Sequence, residues 1–280
     1  MNNDGLIKSS FICPVCGQTL FAGEKTYLCP KGHSFDRAKS GYVNLLQNQK
    51  SSAKRHGDDR LMVKTRTEFL EKGYYNNLRD RIGELACKYT GKTVNILDVG
   101  CGECFYTRYV ADYLENSGKK ATVCGIDISK SALTAAAARR KDFSLRVGSI
   151  YRLPLADNSR DLILNIFAPH SEKEFRRVLK TGGVYIRAIP LENHLMGLKK
   201  AIYDTPYPNK VLDFALDGFK IQEVKELKTK IFLDNRQDMD NLFKMTPYYY
   251  KTGKREQERF ANLNSLETET EFGVIVYKKV

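Results

Sequence analysis

The stretch Asn95-Ile-Leu-Asp-Val-Gly-Cys-Gly-Glu-Cys104 decides the fold of this chain. The apolar run at residues 94–99 predicts a short buried strand. Gly100 and Gly102 then allow the backbone to turn tightly and to approach a ligand closely, before a helix that we expect to begin at Glu103. This order of strand, turn and helix is typical of a nucleotide-binding site.

The spacing of the glycines narrows the choice of nucleotide. A dinucleotide-binding loop follows G-x-G-x-x-G, in which the third glycine allows the helix to pack closely on the strand. Phe105 occupies that position here, and no Lys-Ser/Thr pair follows as a phosphate-binding P-loop requires. The spacing therefore argues against NAD or FAD and favours a cofactor whose amino-acid end meets the glycines.

A second acidic residue follows the next predicted strand. Residues 121–126 lead to Asp127, whose carboxylate can accept hydrogen bonds from both ribose hydroxyls of an adenosine. With this residue in place, the sequence resembles the class I S-adenosylmethionine-dependent methyltransferases. The resemblance implies that Asp98, Gly100 and Gly102 shape the methionine end of the site and that Asp127 holds the ribose.

Two positions depart from the usual class I pattern. Cys104 replaces the third glycine of G-x-G-x-G, and because cysteine is small we expect a local adjustment that retains the site. Ser149 stands in the loop where an acidic residue often lies near the adenine. The alternative to a cofactor site is a glycine-containing core turn that binds no ligand.

The composition limits the class of protein. The 280 residues include 46 Lys and Arg against 33 Asp and Glu, and the net charge of +13 favours a polyanionic partner such as nucleic acid. No apolar run of about 18 residues and no signal peptide is visible, so we expect no membrane association. Seven cysteines without an export signal suit a reducing cytoplasm. A basic composition with no specific partner is the alternative.

The N-terminal region carries a metal-binding pattern. Cys13, Cys16, Cys29 and His33 follow the spacing C-x2-C-x12-C-x3-H, which supplies three thiolates and one imidazole for structural zinc. Because so small a module has little apolar core, metal binding would supply much of its folding free energy. A redox C-x-x-C pair and a disulfide are the alternatives, but the strand and helix context of a thioredoxin-like site is missing from the sequence.

Basic and aromatic residues are interleaved after this pattern. Up to Arg55 the chain has eight Lys or Arg and three Asp or Glu. This composition suits contacts with RNA phosphates and bases, and a solvated basic face is the alternative. The polar, aperiodic residues 47–57 predict a linker, and Asp58 predicts a helix start.

Several motifs together resemble the bacterial 23S ribosomal RNA (guanine-N1)-methyltransferases over nearly the whole chain. They are the zinc pattern, the sequence F-D-x-A-K-x-G-Y-V-N-L-L at residues 35–46, the Gly73-Tyr-Tyr75 turn and the glycine loop. The resemblance implies zinc on the three cysteines and the histidine, a homodimer, and methylation of N1 of a guanine in a 23S rRNA hairpin loop. It also implies cofactor contacts at Tyr75, Gly102, Glu103 and His194.

We therefore predict an α/β fold with a Rossmann-like, mostly parallel seven-stranded sheet and a small N-terminal zinc-ribbon-like module. The predicted parts are residues 1–46 for zinc and RNA binding, 47–90 for a linker and helical connection, and 91–280 for the methyltransferase domain. Further strands are predicted at residues 143–147, 162–167, 184–189 and 272–277. Asn165-Ile-Phe-Ala-Pro169 lacks the D/N-P-P-Y/F sequence common in enzymes that methylate exocyclic amines, which agrees with methylation of a ring nitrogen.

The sequence selects no catalytic residue. Guanine N1 carries a proton that must leave, and the candidate acceptors are His170, His194, Glu103 and water. Two other functions stay open. One is a zinc-dependent RNA-binding protein with an inactive methyltransferase-like domain, for which Cys104 and Ser149 are the motive. The other is a methyltransferase that acts on another RNA or on a small molecule.

Overall fold

The computed structural model describes residues 7–46 and 57–280. The first six residues lie outside the described residues, and so does the part of our signal-peptide prediction that concerns them. The predicted linker also lies outside them, apart from Gly57. Within the described ranges, no helix is long and apolar enough to cross a membrane.

Four short strands form an antiparallel sheet near the N-terminus, in the order β1-β2-β3-β4. They are β1 (Ile7–Ile12), β2 (Thr19–Ala22), β3 (Thr26–Leu28) and β4 (Ser34–Asp36). One turn, with Cys13 and Cys16, joins β1 to β2, and a second, with Cys29 and His33, joins β3 to β4. Because β1 and β3 run in the same direction, both turns lie at the same end of this sheet.

The second sheet has eight strands in the order β11-β12-β10-β9-β6-β7-β8-β5. They are β5 (Val43–Asn44), β6 (Thr93–Val99), β7 (Lys120–Asp127), β8 (Ser144–Val147), β9 (Arg160–Ile166), β10 (Leu179–Pro190), β11 (Phe219–Leu233) and β12 (Leu266–Lys279). The strands from β5 to β10 are parallel, and β12 runs antiparallel to both β10 and β11. The predicted mostly parallel sheet is confirmed, with β6 to β12 as its seven strands and β5 as an eighth.

Nine helices occur in the described ranges. They are α1 (Arg60–Glu71), α2 (Asn76–Tyr89), α3 (Phe105–Asn116), α4 (Lys130–Arg139), α5 (Glu172–Val178), α6 (Met196–Ile202), α7 (Arg236–Lys244), α8 (Pro247–Lys251) and α9 (Lys254–Ala261). After β6 the chain winds towards β8, and β9 then returns to the other side of β6. In such open sheets ligands bind at the carboxyl ends of the strands where the winding reverses, which is where the glycine loop and Asp127 lie.

Two buried clusters lie on opposite faces of the large sheet, because successive side chains along a strand alternate. Ile96 and Leu162 pack with α1, α2 and α3 on one face. Their neighbours Leu97 and Ile163 pack on the other face with residues of the N-terminal sheet, including Phe11. The N-terminal sheet therefore shares a core with the large sheet.

Arg146 of β8 joins the two sheets. It is 2% exposed, and its guanidinium carbon lies 4.1 Å from the ring centre of Phe11 and 4.5 Å from that of Tyr27. Its Nη2 atom also donates a hydrogen bond to the Tyr27 hydroxyl at 2.6 Å. Burial lowers the pKa of Arg146 below its ordinary value. The aromatic rings and the hydroxyl offset part of the cost of burying this charge.

Helix starts lie within two residues of their predicted positions. Asp59, and not Asp58, caps α1 by accepting a hydrogen bond at 2.9 Å from a backbone N–H of the first turn. Helix α3 begins at Phe105 and not at Glu103. Ser129 caps α4, since its hydroxyl accepts a hydrogen bond at 3.1 Å from a backbone N–H.

Strands in the second half of the chain are longer than predicted. β10 begins at Leu179 instead of residue 184, with a register shift against β9 near Gly182. β12 begins at Leu266 instead of residue 272. The sequence analysis predicts no strand where β11 lies. This strand is at the edge of the sheet, and its exposed Lys and Glu residues leave little apolar periodicity.

Candidate functional site

The two N-terminal turns bring the four predicted metal ligands together. The ligand atoms of Cys13, Cys16, Cys29 and His33 all lie within 4.8 Å of one another. Cys13 Sγ is 3.6 Å from His33 Nδ1, and Cys16 Sγ is 3.2 Å from Cys29 Sγ. None of the three cysteines is in a disulfide. Three thiolates and one imidazole so arranged fit a tetrahedral zinc ion and would complete its coordination.

Backbone geometry fixes both turns. The N–H groups of Gly17 and Gly32 donate to the carbonyl oxygen of the cysteine that opens each turn, at 2.8 and 2.9 Å. Their φ angles of +73° and +84° lie in the left-handed region that favours glycine. A backbone hydrogen bond from Gln18 lowers the pKa of the Cys16 thiol to about 7. This thiol therefore loses its proton readily, as metal binding requires.

The loop after β6 has three residues in the left-handed region, Gly100 (φ +73°), Gly102 (φ +54°) and Cys104 (φ +59°). Cys104 thus adopts a left-handed conformation that favours glycine, although a side chain makes that conformation costly. A Cβ atom on Gly100 would lie 2.5 Å from Ala168 Cβ. The glycine loop and the residues after β9 are therefore in close contact, and Gly100 admits no side chain.

The strands β6 and β7 each end with a carboxyl group, the buried Asp98 and the half-buried Asp127. Asp98 accepts a hydrogen bond from the Thr107 hydroxyl. Asp127 accepts hydrogen bonds from the N–H groups of Gly102, at 2.9 Å, and Ser129, at 2.7 Å. Burial raises the pKa of Asp98 to about 7 and raises the pKa of Asp127 above its ordinary value. A cation placed beside them would favour their ionised forms.

Arg66 of α1 ties the glycine loop to the start of that helix. Its Nη2 and Nε atoms donate to Glu103 Oε2 at 2.7 and 3.0 Å, and its Nη1 donates to Asp58 Oδ2 at 2.5 Å. Burial opposes the charge on Arg66, but the two carboxylates raise its pKa above the ordinary value. A Cβ atom on Gly102 would lie 3.0 Å from Arg66 Nη2, so the guanidinium lies directly beside the loop.

A cavity of about 520 Å³ opens at the carboxyl ends of β6, β7 and β9. Five of the predicted cofactor residues line it: Asp98, Gly100, Gly102, Glu103 and Asp127. Its lining also includes Ser149 and holds four carboxyl groups, with Asp58 as the fourth, against the one guanidinium of Arg66. The cavity is therefore acidic within a chain of net charge +13. An acidic cavity suits the sulfonium and ammonium groups of S-adenosylmethionine and opposes a pyrophosphate.

Tyr75 and His194 do not line this cavity. They are 3% and 8% exposed, and their ring centres are 6.0 Å apart. Both pack on Phe272, with ring centres 4.9 and 4.8 Å from it. Phe167, which does line the cavity, lies 6.4 Å from His194 between ring centres. The two residues form the layer behind the cavity wall, and their contact with the cofactor stays a prediction.

Of the three side chains that could accept the N1 proton, two lie outside the cavity lining and the third is held in an ion pair. His194 Nδ1 accepts a hydrogen bond from Glu271 N–H at 3.2 Å, and burial lowers the pKa of His194 to about 3. His170 is not among the cavity's lining residues, and burial lowers its pKa. Glu103 lines the cavity but is 2% exposed and paired with Arg66.

Some residues of the cavity escape sequence reasoning. Arg66 meets Glu103 from 37 positions away along the chain, and no local pattern signals that contact. Tyr106 and Phe167 also line the cavity. Phe167 ends the strand predicted at residues 162–167, and this position is the available signal for it, because ligands meet the carboxyl ends of parallel strands.

The fold and the site define a class I S-adenosylmethionine-dependent methyltransferase with an N-terminal zinc ribbon. Residues 97–186 match the family model described as a methyltransferase domain. Residues 11–54 match the zinc-ribbon model described as RlmA, N-terminal.

Three curated relatives resemble this chain. YxjB of Bacillus subtilis (strain 168), provisionally named as a 23S rRNA (guanine-N(1)-)-methyltransferase, is 29% identical over 97% of this chain and 98% of its own length. A Micromonospora griseorubida protein with the same provisional name is 35% identical over 66% of this chain and 67% of its own. The 23S rRNA (guanine(748)-N(1))-methyltransferase of Streptomyces fradiae is 33% identical over 68% of this chain and 66% of its own length. The chain belongs to the family of 23S rRNA (guanine-N1)-methyltransferases.

Proposed function

We propose that this protein transfers a methyl group from S-adenosylmethionine to N1 of a specific guanine in a 23S rRNA hairpin loop. The observation that carries the proposal is the convergence of five predicted cofactor residues on one acidic cavity. The names of the relatives support the choice of RNA and of the guanine atom, since each names a 23S rRNA guanine-N1 reaction.

The residues around the cavity would bind and orient the cofactor. Asp127 would hold the ribose hydroxyls, and Asp98, Gly100 and Gly102 would shape the methionine end. Arg66 and Glu103 beside the loop offer charges of both signs to an amino acid. The cofactor supplies a methyl group already activated by its sulfonium. The protein mainly has to hold the reacting atoms in line and exclude water.

Tyr75 and His194 would support the methionine end from behind. Their rings back the aromatic side of the cavity through Phe167 and Phe272. His194 would act as a neutral group, because burial lowers its pKa to about 3. Its Nδ1 atom accepts a backbone hydrogen bond, so the proton of the neutral ring lies on Nε2.

Zinc would have a structural role. Cys13, Cys16, Cys29 and His33 would occupy all four positions of a tetrahedral ion, which leaves no open position for a substrate. The ion would stabilise the folded conformation of the two turns. These turns belong to the small sheet, which shares its core with the large sheet.

We propose that the N-terminal region contacts the rRNA backbone. Lys31, Arg37 and Lys39 are exposed in or directly after the small sheet. The parts at residues 1–46 for zinc and RNA, 47–90 for the connection, and 91–280 for chemistry remain our proposed division of the chain. In this division β5 and Arg146 attach the first part firmly to the third.

Reversing the charge of Lys31, Arg37 and Lys39 together should weaken RNA binding. Removing about three phosphate contacts should reduce the salt dependence of RNA binding. The slope of the logarithm of the dissociation constant against the logarithm of the salt concentration should fall by about 2–3. The affinity for S-adenosylmethionine should stay unchanged, because the three side chains are not in the cavity. Filter binding over a range of salt and calorimetric titration measure the two affinities. An equal loss of both would contradict this division of labour.

The target guanine would leave its stack, because its Watson–Crick edge is hidden in a helix. We propose that water accepts the N1 proton. The support is that His170 and His194 are not cavity residues and that Glu103 is held by Arg66.

A homodimer is a further proposal that rests on the family resemblance. Light scattering should then give twice the 31.9 kDa of one chain. We also propose a cytoplasmic location, where 23S rRNA is made and where thiolate ligands stay reduced.

Digestion of treated 23S rRNA to nucleosides, followed by mass spectrometry, tests the reaction. The proposal predicts 1-methylguanosine that requires both protein and S-adenosylmethionine. Cofactor binding without a methylated nucleoside would favour another RNA or a small molecule as substrate. No cofactor binding would favour an RNA-binding protein with an inactive domain.

A further inference from the structure

An aromatic side chain after β9 has an unusual backbone conformation. Phe167 has a φ of +56°, in the left-handed region that bulky residues rarely adopt. The other non-glycine residues with positive φ in the described ranges are Cys104, Leu195 and Asn158. Cys104 and Leu195 are buried, and asparagine tolerates this region. Phe167 is 43% exposed, so core packing does not explain its strain, and such an outlier points to function.

Phe167 is fixed beside the glycine loop. Its N–H donates to the carbonyl oxygen of Ala188 in β10 at 3.0 Å. The next residue, Ala168, lies so close to Gly100 that no Cβ atom would fit between them. Phe167 therefore stands in the cavity wall next to the residues that we assign to the methionine end of the cofactor, from which the methyl group is delivered.

Other rings support Phe167 from the protein side. Its ring centre lies 5.5 Å from Phe272, 6.3 Å from Tyr106 and 6.4 Å from His194, and the His194 ring is within 19° of parallel. Phe272 and His194 are buried, whereas Phe167 lines the cavity and keeps 43% of its surface exposed. The result is a fixed aromatic surface beside the reaction centre.

We propose that Phe167 is the platform on which the target base stacks, an inference that rests on the proposed rRNA methylation. A flipped base loses the stacking of its neighbours, and an aromatic ring in the site compensates for that loss. A ring fixed next to the methionine end also sets the plane of the purine, so that N1 can face the methyl carbon. Because every base has a π-face, Phe167 positions the base, and other groups must distinguish guanine.

Phe167→Leu tests the platform, because it keeps an apolar side chain and removes the ring. The kcat/KM for 23S rRNA should fall about 5- to 150-fold, the effect of losing one stacked base. The dissociation constant of S-adenosylmethionine should change less than about twofold, and Phe167→Tyr should keep kcat/KM within about threefold. Phe232→Leu removes an exposed ring from β11 and serves as the matched control, with unchanged kcat/KM.

Phe167→Gly separates the platform from a structural role. Glycine removes the ring and its contacts but also relieves the left-handed backbone, so the two effects offset each other and the melting temperature should stay within about 4 °C of the wild type. The variant should still lose at least as much kcat/KM as Phe167→Leu. With S-adenosylhomocysteine present, wild type and Phe167→Leu should bind equally to RNA that is abasic at the target, and wild type should bind intact RNA more tightly.

Three results would overturn this assignment. A Phe167→Leu variant with wild-type kcat/KM would remove the platform and leave the proposed function intact. A loss of cofactor affinity as large as the loss of kcat/KM would place Phe167 in the cofactor site instead. No methylation of 23S rRNA by the wild type would overturn the proposed function itself, and the platform with it.

Discussion

The group of four candidate metal ligands and the cofactor cavity are built in opposite ways. The four ligands of the cluster lie within 20 positions of one another along the chain, on two turns of one small sheet. The cavity is lined by residues from Gly57 to Pro169 and needs α1, β6, β7 and β9 in place. The spacing of the ligands along the sequence defines the first site, whereas the second site exists only when the large sheet is assembled.

The two regions nevertheless meet at β8. Arg146 of this strand packs on the rings of Phe11 and Tyr27 in the N-terminal sheet. Residues 148–151, which directly follow β8, line the cavity. The N-terminal sheet, whose turns carry the four candidate zinc ligands, therefore supports one wall of a site that is otherwise built by long-range packing.

The largest expected effect comes from removing a metal ligand. Cys29→Ser should abolish stable zinc binding, because structural zinc contributes about 10–16 kcal/mol to isolated zinc modules. The melting temperature should fall by about 10 °C or more, and cofactor affinity should fall with it, because the two sheets share a core. Metal analysis, thermal melting and calorimetric titration measure the three effects.

Cys87→Ser is the matched control for this variant. Cys87 is a half-buried cysteine of α2 outside the cluster, so metal content and melting temperature should stay close to the wild type. If Cys29→Ser lost its metal and kept wild-type cofactor affinity, the two regions would be independent, and the role given to β8 would be wrong.

Asp127→Asn should weaken S-adenosylmethionine binding about 10- to 100-fold, the range for losing hydrogen bonds to a charged group. The amide cannot accept from both ribose hydroxyls, and it also weakens the hydrogen bonds from Gly102 and Ser129. Asp142→Asn, at an exposed carboxylate paired with Arg140, is the control. Titration calorimetry measures both variants, and equal affinities would exclude Asp127 from the cofactor site.

Cofactor affinity should rise about tenfold between pH 6 and pH 8. Burial raises the pKa of Asp98 to about 7. The positive charges of bound S-adenosylmethionine favour the ionised form of this carboxyl group, so cofactor binding below pH 7 releases a proton. The affinity should therefore increase as pH rises through 7 and then level off. Asp98→Asn should weaken binding and flatten the profile. Tighter binding at pH 6 than at pH 8 would refute this assignment.

The smallest effect is expected from Cys104→Gly. Glycine relieves the left-handed conformation at φ +59°, but the buried thiol side chain is lost. The two effects offset each other, so the free energy of unfolding should change by less than about 1 kcal/mol and the melting temperature by less than about 4 °C. A tenfold gain in cofactor affinity would instead show that Cys104 holds the loop away from its binding conformation.

The sequence predicts those features that depend on neighbouring residues. The ligand spacing and the strand before the glycine loop are of this kind. The Arg66–Glu103 pair, the pairing of β5 with β8 and the strain at Phe167 depend on distant segments, and no local pattern encodes them. Tyr75 and His194 follow from the family resemblance alone, because their residue types do not distinguish a cofactor contact from a core position.

Primer extension along unmodified 23S rRNA, after incubation with the protein and S-adenosylmethionine, tests the proposed methylation most directly. A methyl group on N1 blocks the base-pairing edge of guanine, so reverse transcriptase should halt beside it. We predict a single stop that needs both protein and cofactor and that weakens with Asp127→Asn. Full-length extension by a protein that binds the cofactor would contradict methylation of guanine N1 in this RNA.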